Sequence, residues 1–298
     1  MSTPRNDDGL ERAIQLALDS LLQSLQPERL GEDLFRVHSE ANRFGRVFGG
    51  QMIAQAMNAA AATVGDKPPH SLHAYFVKSG SPDQPLDVAV ERVRDGRSMA
   101  ARRVTVTQSF EPLLIAMVSF HDNPAEPEFA EPAPPGPDPD GLPRLQDWVD
   151  IAPPELRDRA RTWISRPPPV EMRVGEPTYF FGGSRANGPR SHWMRLPRDI
   201  GDDPVLHSVL LAYSSDYLLL DVALRSHPDP ITVESTTAFS LDHSLWLHRP
   251  VRFDAWHQHS CQLIAISGDR GLVRGAIHDI DGRLVASTSQ EVLIRANR

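Results

Sequence analysis

The run from Met52 to Val64, Met-Ile-Ala-Gln-Ala-Met-Asn-Ala-Ala-Ala-Ala-Thr-Val, is apolar almost all the way round a helix. A helix of that kind cannot lie on a surface with one wet face; it has to be enclosed. Extended, alternating runs follow it at 70–77, 86–107 and 113–121, the middle one turning at Asp95-Gly96. The simplest enclosure is therefore a long antiparallel sheet wrapped around the helix. The βαβ alternation of a dinucleotide-binding fold is missing.

The same order recurs further on. A helix over about 203–224 precedes a strand at 236–247 and long strands between 257 and 295. His70-Ser-Leu-His-Ala-Tyr-Phe76 matches His243-Ser-Leu-Trp-Leu-His248, and Leu114-Ile-Ala116 matches Leu284-Val-Ala286. The offsets, 243 − 70 = 173 and 286 − 116 = 170, agree to within a short loop and indicate an internal duplication. Between the copies, residues 122 to 176 are crowded with proline, which excludes regular sheet or helix interior. Only 156–164 there reads as a short helix. The expected fold is α+β, a tandem double hotdog with two long antiparallel sheets each wrapping a central helix. Residues 1–121 form the first unit, led by an amphipathic helix at 11–26; residues 122–177 are the linker and 178–298 the second unit.

Composition narrows the function. A net charge of −8, with Lys67 and Lys78 the only lysines, is unsuited to general nucleic-acid binding. The single cysteine, Cys261, forms no intrachain disulfide and reads as a packed thiol in a reducing compartment. The first residues do not form a signal peptide, no apolar run reads as a membrane span, and Arg295-Ala-Asn-Arg298 is not a peroxisomal Ser-Lys-Leu ending. A cytoplasmic location is expected.

Few residues stand out chemically. Ser214-Ser215-Asp216 interrupts an apolar helix, and a carboxylate there needs hydrogen bonds, a counter-charge or a chemical task. Ser240 lies on the 236–247 strand, opposite in parity to Leu241 and Leu245. Gln290 falls on the apolar face of the last strand, where its amide requires partners. His70 reads as structural, because no nucleophile-elbow motif accompanies it. His257 and His259 lack a third ligand, so no metal is expected. Arg97, Arg102 and Arg103, after the Asp95-Gly96 turn, are candidates for phosphate contacts.

Seven ordered segments carry a resemblance. They are Arg46-Val-Phe-Gly-Gly-Gln51, His70-Ser-Leu-His-Ala-Tyr75, Arg94-Asp-Gly-Arg-Ser98 with Ala101-Arg-Arg103, Pro139-Asp-Gly-Leu-Pro143, Ala212-Tyr-Ser-Ser-Asp216, Leu241-Asp-His-Ser-Leu-Trp-Leu-His-Arg-Pro250 and Ala286-Ser-Thr-Ser-Gln-Glu291. From about residue 30 to the C-terminus the chain resembles the type II acyl-CoA thioesterases, the double-hotdog hydrolases.

The resemblance implies an acyl-CoA substrate, no cofactor and a catalytic trio falling on Asp216, Ser240 and Gln290. Many relatives resemble one another in having Thr at the middle position; Ser240 keeps the hydroxyl and loses the methyl. Lys67, Phe120 and, less securely aligned, Asn58 occupy the corresponding places of the first copy, so one working trio per chain is implied. The resemblance also implies a site between the units, where Gly49 and Gly50 at a helix N-terminus would suit a developing oxyanion. Gly49, Gly50, His70 and Arg97 are thus candidate substrate contacts, and a homo-oligomer, dimer or tetramer, is expected. Two rivals remain at this point. A hotdog dehydratase needs a Gly where His73 is followed by Val77, and a non-catalytic acyl-CoA or acyl-carrier binding module has no use for a buried Asp.

Overall fold

The computed structural model describes residues 7–40, 45–122, 129–229 and 231–297. The first half runs α1 (Asp7–Ser24), β1 (Glu28–Arg29), β2 (Leu34–Val37), α2 (Gly49–Ala61), β3 (Pro69–Phe76), β4 (Leu86–Asp95), β5 (Met99–Gln108) and β6 (Glu111–His121). Short 3-10 turns, α3 (Arg157–Ser165) and β7 (Glu171–Val174) follow. The second half has β8 (Arg190–Arg195), α4 (Pro204–Ser214), α5 (Leu219–Arg225), β9 (Thr236–Ser240), β10 (Asp242–Leu247), β11 (His257–Ser267), β12 (Arg270–Asp279) and β13 (Leu284–Ala296).

All these strands belong to one 13-stranded sheet, in the order β1-β2-β4-β5-β6-β3-β10-β13-β12-β11-β8-β7, with β9 paired to β13. The order is mirrored about the β3–β10 seam, as a duplicated sequence requires. At the seam Leu72 stands opposite Leu245, and 245 − 72 = 173 is the offset of the sequence repeat. Equivalent residues facing each other across an antiparallel pair is the arrangement produced by a local two-fold axis. The two half-sheets are thus continuous rather than separate.

α2 is enclosed as its composition demands: Gly50 through Met57, with Ala59 and Ala60, are buried. It packs on α4 so closely that a Cβ on Gly50 would lie 2.2 Å from the Tyr213 carbonyl oxygen. α4 is started by Asp203, whose carboxylate accepts from the Val205 and Leu206 amides, with Pro204 in the first turn. By length and composition the stretch Pro204–Arg225 is long and apolar enough to cross a membrane. However, 83% of its window is buried inside the protein, as befits a core helix.

Three elements differ from expectation. The helix over about 203–224 is broken: α4 ends at Ser214, α5 begins at Leu219, and Leu218 between them has φ +64°. The strand expected over 236–247 is two strands, interrupted at Leu241. β7 lies inside the proline-rich stretch and extends the sheet by pairing with β8. The prolines stop short of it, so local composition hid a four-residue strand.

Candidate active site

The break between α4 and α5 places Asp216 off the helix. There its side chain reaches the N-terminus of α2, an element of the other half. α2 has Phe48 at its N-cap position, with no side-chain cap, so its first-turn amides are open to an outside acceptor. The Gly50 amide donates to the Asp216 carboxylate, and Gln290 donates to it as well. Asp216 therefore caps α2 from across the interface between halves, in the favourable field of the helix dipole. Gly49 makes room for it: a Cβ there would lie 2.7 Å from Asp216 Oδ2.

Asp216 is 9% exposed, and burial pushes its carboxyl up to about 7. Gln290, the Gly50 amide and the Arg46 charge each oppose that rise and do not overcome it.

Ser240 is the last residue of β9, and its Oγ accepts a 2.8 Å hydrogen bond from Gln290 Nε2. The interruption at Leu241 matters here. In an unbroken strand Ser240 and Leu245 would face opposite sides. With the break, Ser240 lines the cavity while His243 and Leu245 are buried beneath the helices. Gln290, on β13, is fully buried, one layer behind the cavity surface. Asp216 and Ser240 thus face the cavity, and Gln290 joins them from behind.

The cavity, about 610 Å³, lies where the halves and the connecting segment meet. Phe48, Gly49, Met52 and Phe76 line it from the first half, Arg159 and Trp163 from α3, and Tyr217, Leu220, Leu224 and Phe239 from the second. Arg46 and Lys78 add positive charge to the lining, although Lys78 also pairs with Glu111.

Other candidates fall elsewhere. Gly50 is occupied by the carboxylate, leaving Gly49 as the lining residue of that pair. His70 sits at a bulge between Pro69 and Ser71, half buried, with Nε2 2.8 Å from Ser119 Oγ, and does not line the cavity. Arg97 is exposed and also absent from the lining. Arg102 is fully buried and bonds Thr63, Asp95 and the Arg94 carbonyl, so it ties the β4–β5 hairpin to the turn that follows α2. Arg103 pairs with Glu91. His73 is exposed and bonds Ser244 across the seam, on the sheet face away from the cavity. His257 bonds the Ala255 carbonyl, and His259 bonds Thr288 beside His192. No group of three potential metal-ligating side chains occurs among the described residues. Burial pushes the Cys261 thiol up.

One residue of the network escaped sequence reading. His243, fully buried, places Nδ1 2.6 Å from Gln290 Oε1 and Nε2 2.9 Å from Ser215 Oγ. The sequence signal for it is the repeat itself: His243 aligns with His70 and is the histidine of the copy that carries the trio.

Comparison with known proteins agrees with this architecture. A family model described as acyl-CoA thioesterase matches residues 162–293, and one described as acyl-CoA thioesterase N-terminal domain matches 37–121. Human acyl-coenzyme A thioesterase 8 is 35% identical over 282 residues, covering 91% of this chain and 87% of that protein. Acyl-CoA thioesterase 2 of Haemophilus influenzae is 31% identical, covering 93% of this chain and 98% of that protein. The solved acyl-CoA thioesterase II TesB2 of Mycobacterium marinum superposes with a TM-score of 0.74 at 30% identity, over 93% of this chain and 98% of that one. The chain belongs to the type II acyl-CoA thioesterase family of double-hotdog hydrolases.

Proposed function

We propose that the chain hydrolyses fatty acyl-CoA to free fatty acid and CoA, with Asp216 as general base, Ser240 anchoring the water and Gln290 orienting both. The observation that carries this reading is a buried carboxylate, raised to about 7, in the wall of a cavity lined by both apolar and cationic side chains and shared with Ser240. A base with a pKa near the working pH is the effective kind. The water oxygen adds to the thioester carbonyl carbon while its proton passes to Asp216. The C–S bond then breaks, and the proton returns to the CoA sulfur. The α2 N-terminus at Gly49 borders the cavity and suits the charge developing on the carbonyl oxygen. Phe76, Trp163, Phe180 and Leu224 suit an acyl chain, and Arg46, Lys78 and Arg159 suit the CoA phosphates. The route draws on no metal or organic cofactor.

Palmitoyl-CoA with a thiol reagent tests the reaction. Release of free CoA is expected, with kcat/KM rising as pH rises through about 7, because the carboxylate is the active form. Tight binding with no thiol release would sink the hydrolase reading. A rate insensitive to pH between about 5.5 and 8.5 would sink Asp216 as base.

We further propose the division into units 1–121 and 178–298 joined by 122–177, supported by the mirrored order of the strands on either side of the β3–β10 seam; β7, inside the connecting segment, extends the second unit's sheet. A homo-oligomer is proposed from the exposed apolar residues on the outer sheet face at the seam, Tyr75, Met117 and Trp246. A cytoplasmic location is proposed from the unpaired Cys261. Light scattering above 33.1 kDa and recovery in the soluble fraction are expected; particles of 33.1 kDa, or recovery with membranes or organelles, count against each.

A further inference from the structure

The amide of Gln290 can be turned two ways, and only one suits the site. Its nitrogen end faces Ser240, 2.8 Å away, and the Asp216 carboxylate. If the amide were flipped, its oxygen would oppose an anion across a buried contact. Neither Asp216 nor Ser240 alone prevents the flip in the states where the carboxyl is protonated. Something on the oxygen side has to hold the orientation.

His243 is on that side. In the β10–β13 ladder Ser244 stands opposite Ser289, so the next positions along, His243 and Gln290, face each other on the inward side. The ring and the amide oxygen are 2.6 Å apart. We propose that His243 is a positioning residue for the thioesterase reaction: its Nδ1–H holds the Gln290 carbonyl, so that the amide nitrogen stays directed at Ser240 and Asp216.

The tautomer follows from the chemistry. A carbonyl oxygen accepts, so Nδ1 carries the proton and Nε2 is left as an acceptor. Ser215 Oγ lies 2.9 Å from Nε2 and 2.9 Å from the Ala212 carbonyl oxygen, and its single proton is shared between these two acceptors. Burial keeps the ring neutral at working pH, holding it down to about 4. A neutral ring with one donor and one acceptor can fix an amide; a doubly protonated ring would need two acceptors. Ser215 closes α4 and directly precedes Asp216 in the chain. The relay therefore ties the chain beside the base to the amide that orients it. The first half lacks the device: the bulge at His70 turns that ring to Ser119, and Phe120 stands where an amide would be needed.

The inference rests on Gln290 belonging to the catalytic trio, and the variants separate the two ideas. His243→Leu fills the space without a donor; His243→Asn is smaller and offers an amide N–H near the Nδ1 position. Positioning predicts that Leu lowers kcat about tenfold with KM within about twofold, and that Asn recovers most of it. Mere space-filling predicts the reverse ranking, Leu above Asn, in kcat and Tm alike, and that ranking would overturn the inference. Gln290→Ala with wild-type turnover removes the trio assignment itself. Gln290→Ala impaired beside an unimpaired His243→Leu removes only the role of His243. Should the Leu variant fail to fold, 15N-histidine spectra of the wild-type protein decide, with the Asn variant identifying the resonance. A neutral ring protonated at Nδ1 is expected, and a ring protonated at Nε2 overturns the proposal.

Discussion

Asp216→Asn is expected to lower acyl-CoA turnover by about 10²–10⁴-fold while making the protein more stable. The change keeps the shape of the side chain and removes the basic oxygen, so the water loses its proton acceptor. KM should change little, since the cations and apolar wall that suit the substrate are untouched. The stability half follows from the raised carboxyl. Its value of about 7, against 3.8 for an unburied Asp, already includes the helping donors from Gly50 and Gln290. The native state therefore favours the protonated form, and ionisation costs stability progressively as pH rises from about 4 to about 7. Asn avoids that cost, although its amide nitrogen meets one of the two donors and so loses part of the gain. A net gain of about 1–2 kcal/mol, or roughly 2–8 °C in Tm, is expected above pH 7 and should vanish near pH 4. Lower activity together with a lower Tm at pH 8 would mean that the carboxylate is structural. Near-full turnover would remove it from the mechanism.

The architecture was largely legible because it depends on burial. An all-round apolar helix has few ways to be enclosed, and a repeated order of elements forces a mirrored sheet. The site was legible in its members, Asp216, Ser240 and Gln290, and not in its geometry. Two breaks make that geometry, and neither carries a sequence signal. Tyr217 and Leu218 are ordinary helix residues, yet Leu218 adopts a left-handed φ of +64° that only Gly adopts freely. The strain, on the order of 1–3 kcal/mol, is held by the surrounding core, in which Leu218 is buried. At Leu241 alternation continues across the interruption, so the pattern reads as one strand. Parity reasoning then puts Ser240 and Leu245 on opposite faces, whereas both serve the inward side. Arg97 illustrates the opposite limit: a surface arginine after a turn has no pattern that tells phosphate contact from solvation. The cavity's own cations, Arg46 and Arg159, come from segments whose meeting is a tertiary event.

Asp221→Ala is expected to destabilise the fold by about 3–5 kcal/mol, lowering Tm by roughly 6–15 °C, with kcat of the folded protein close to wild type. Asp221 lies five residues beyond Asp216 (221 − 216 = 5), and burial raises its carboxyl too, so a perturbed pKa does not separate the two acids. Their surroundings do. Asp221 is fully buried, receives Arg190 Nη1 at 3.1 Å and the Phe180 amide at 3.0 Å, and does not line the cavity that Asp216 lines. Arg190 is itself 2% exposed in its side chain, so removing Asp221 leaves an uncompensated guanidinium in the core. That penalty, rather than the strength of the pair, sets the expected loss. Replacing both partners, Asp221→Leu with Arg190→Met, should therefore recover most of the stability that Asp221→Ala loses. Asp221 also anchors the Tyr179–Phe181 turn that carries Phe180 into the cavity wall, so KM for long acyl chains should rise before kcat falls. An Asp221→Ala protein with unchanged Tm would show that Arg190 reaches water or another acceptor. One with unchanged Tm and lost turnover would move Asp221 from the scaffold into the chemistry.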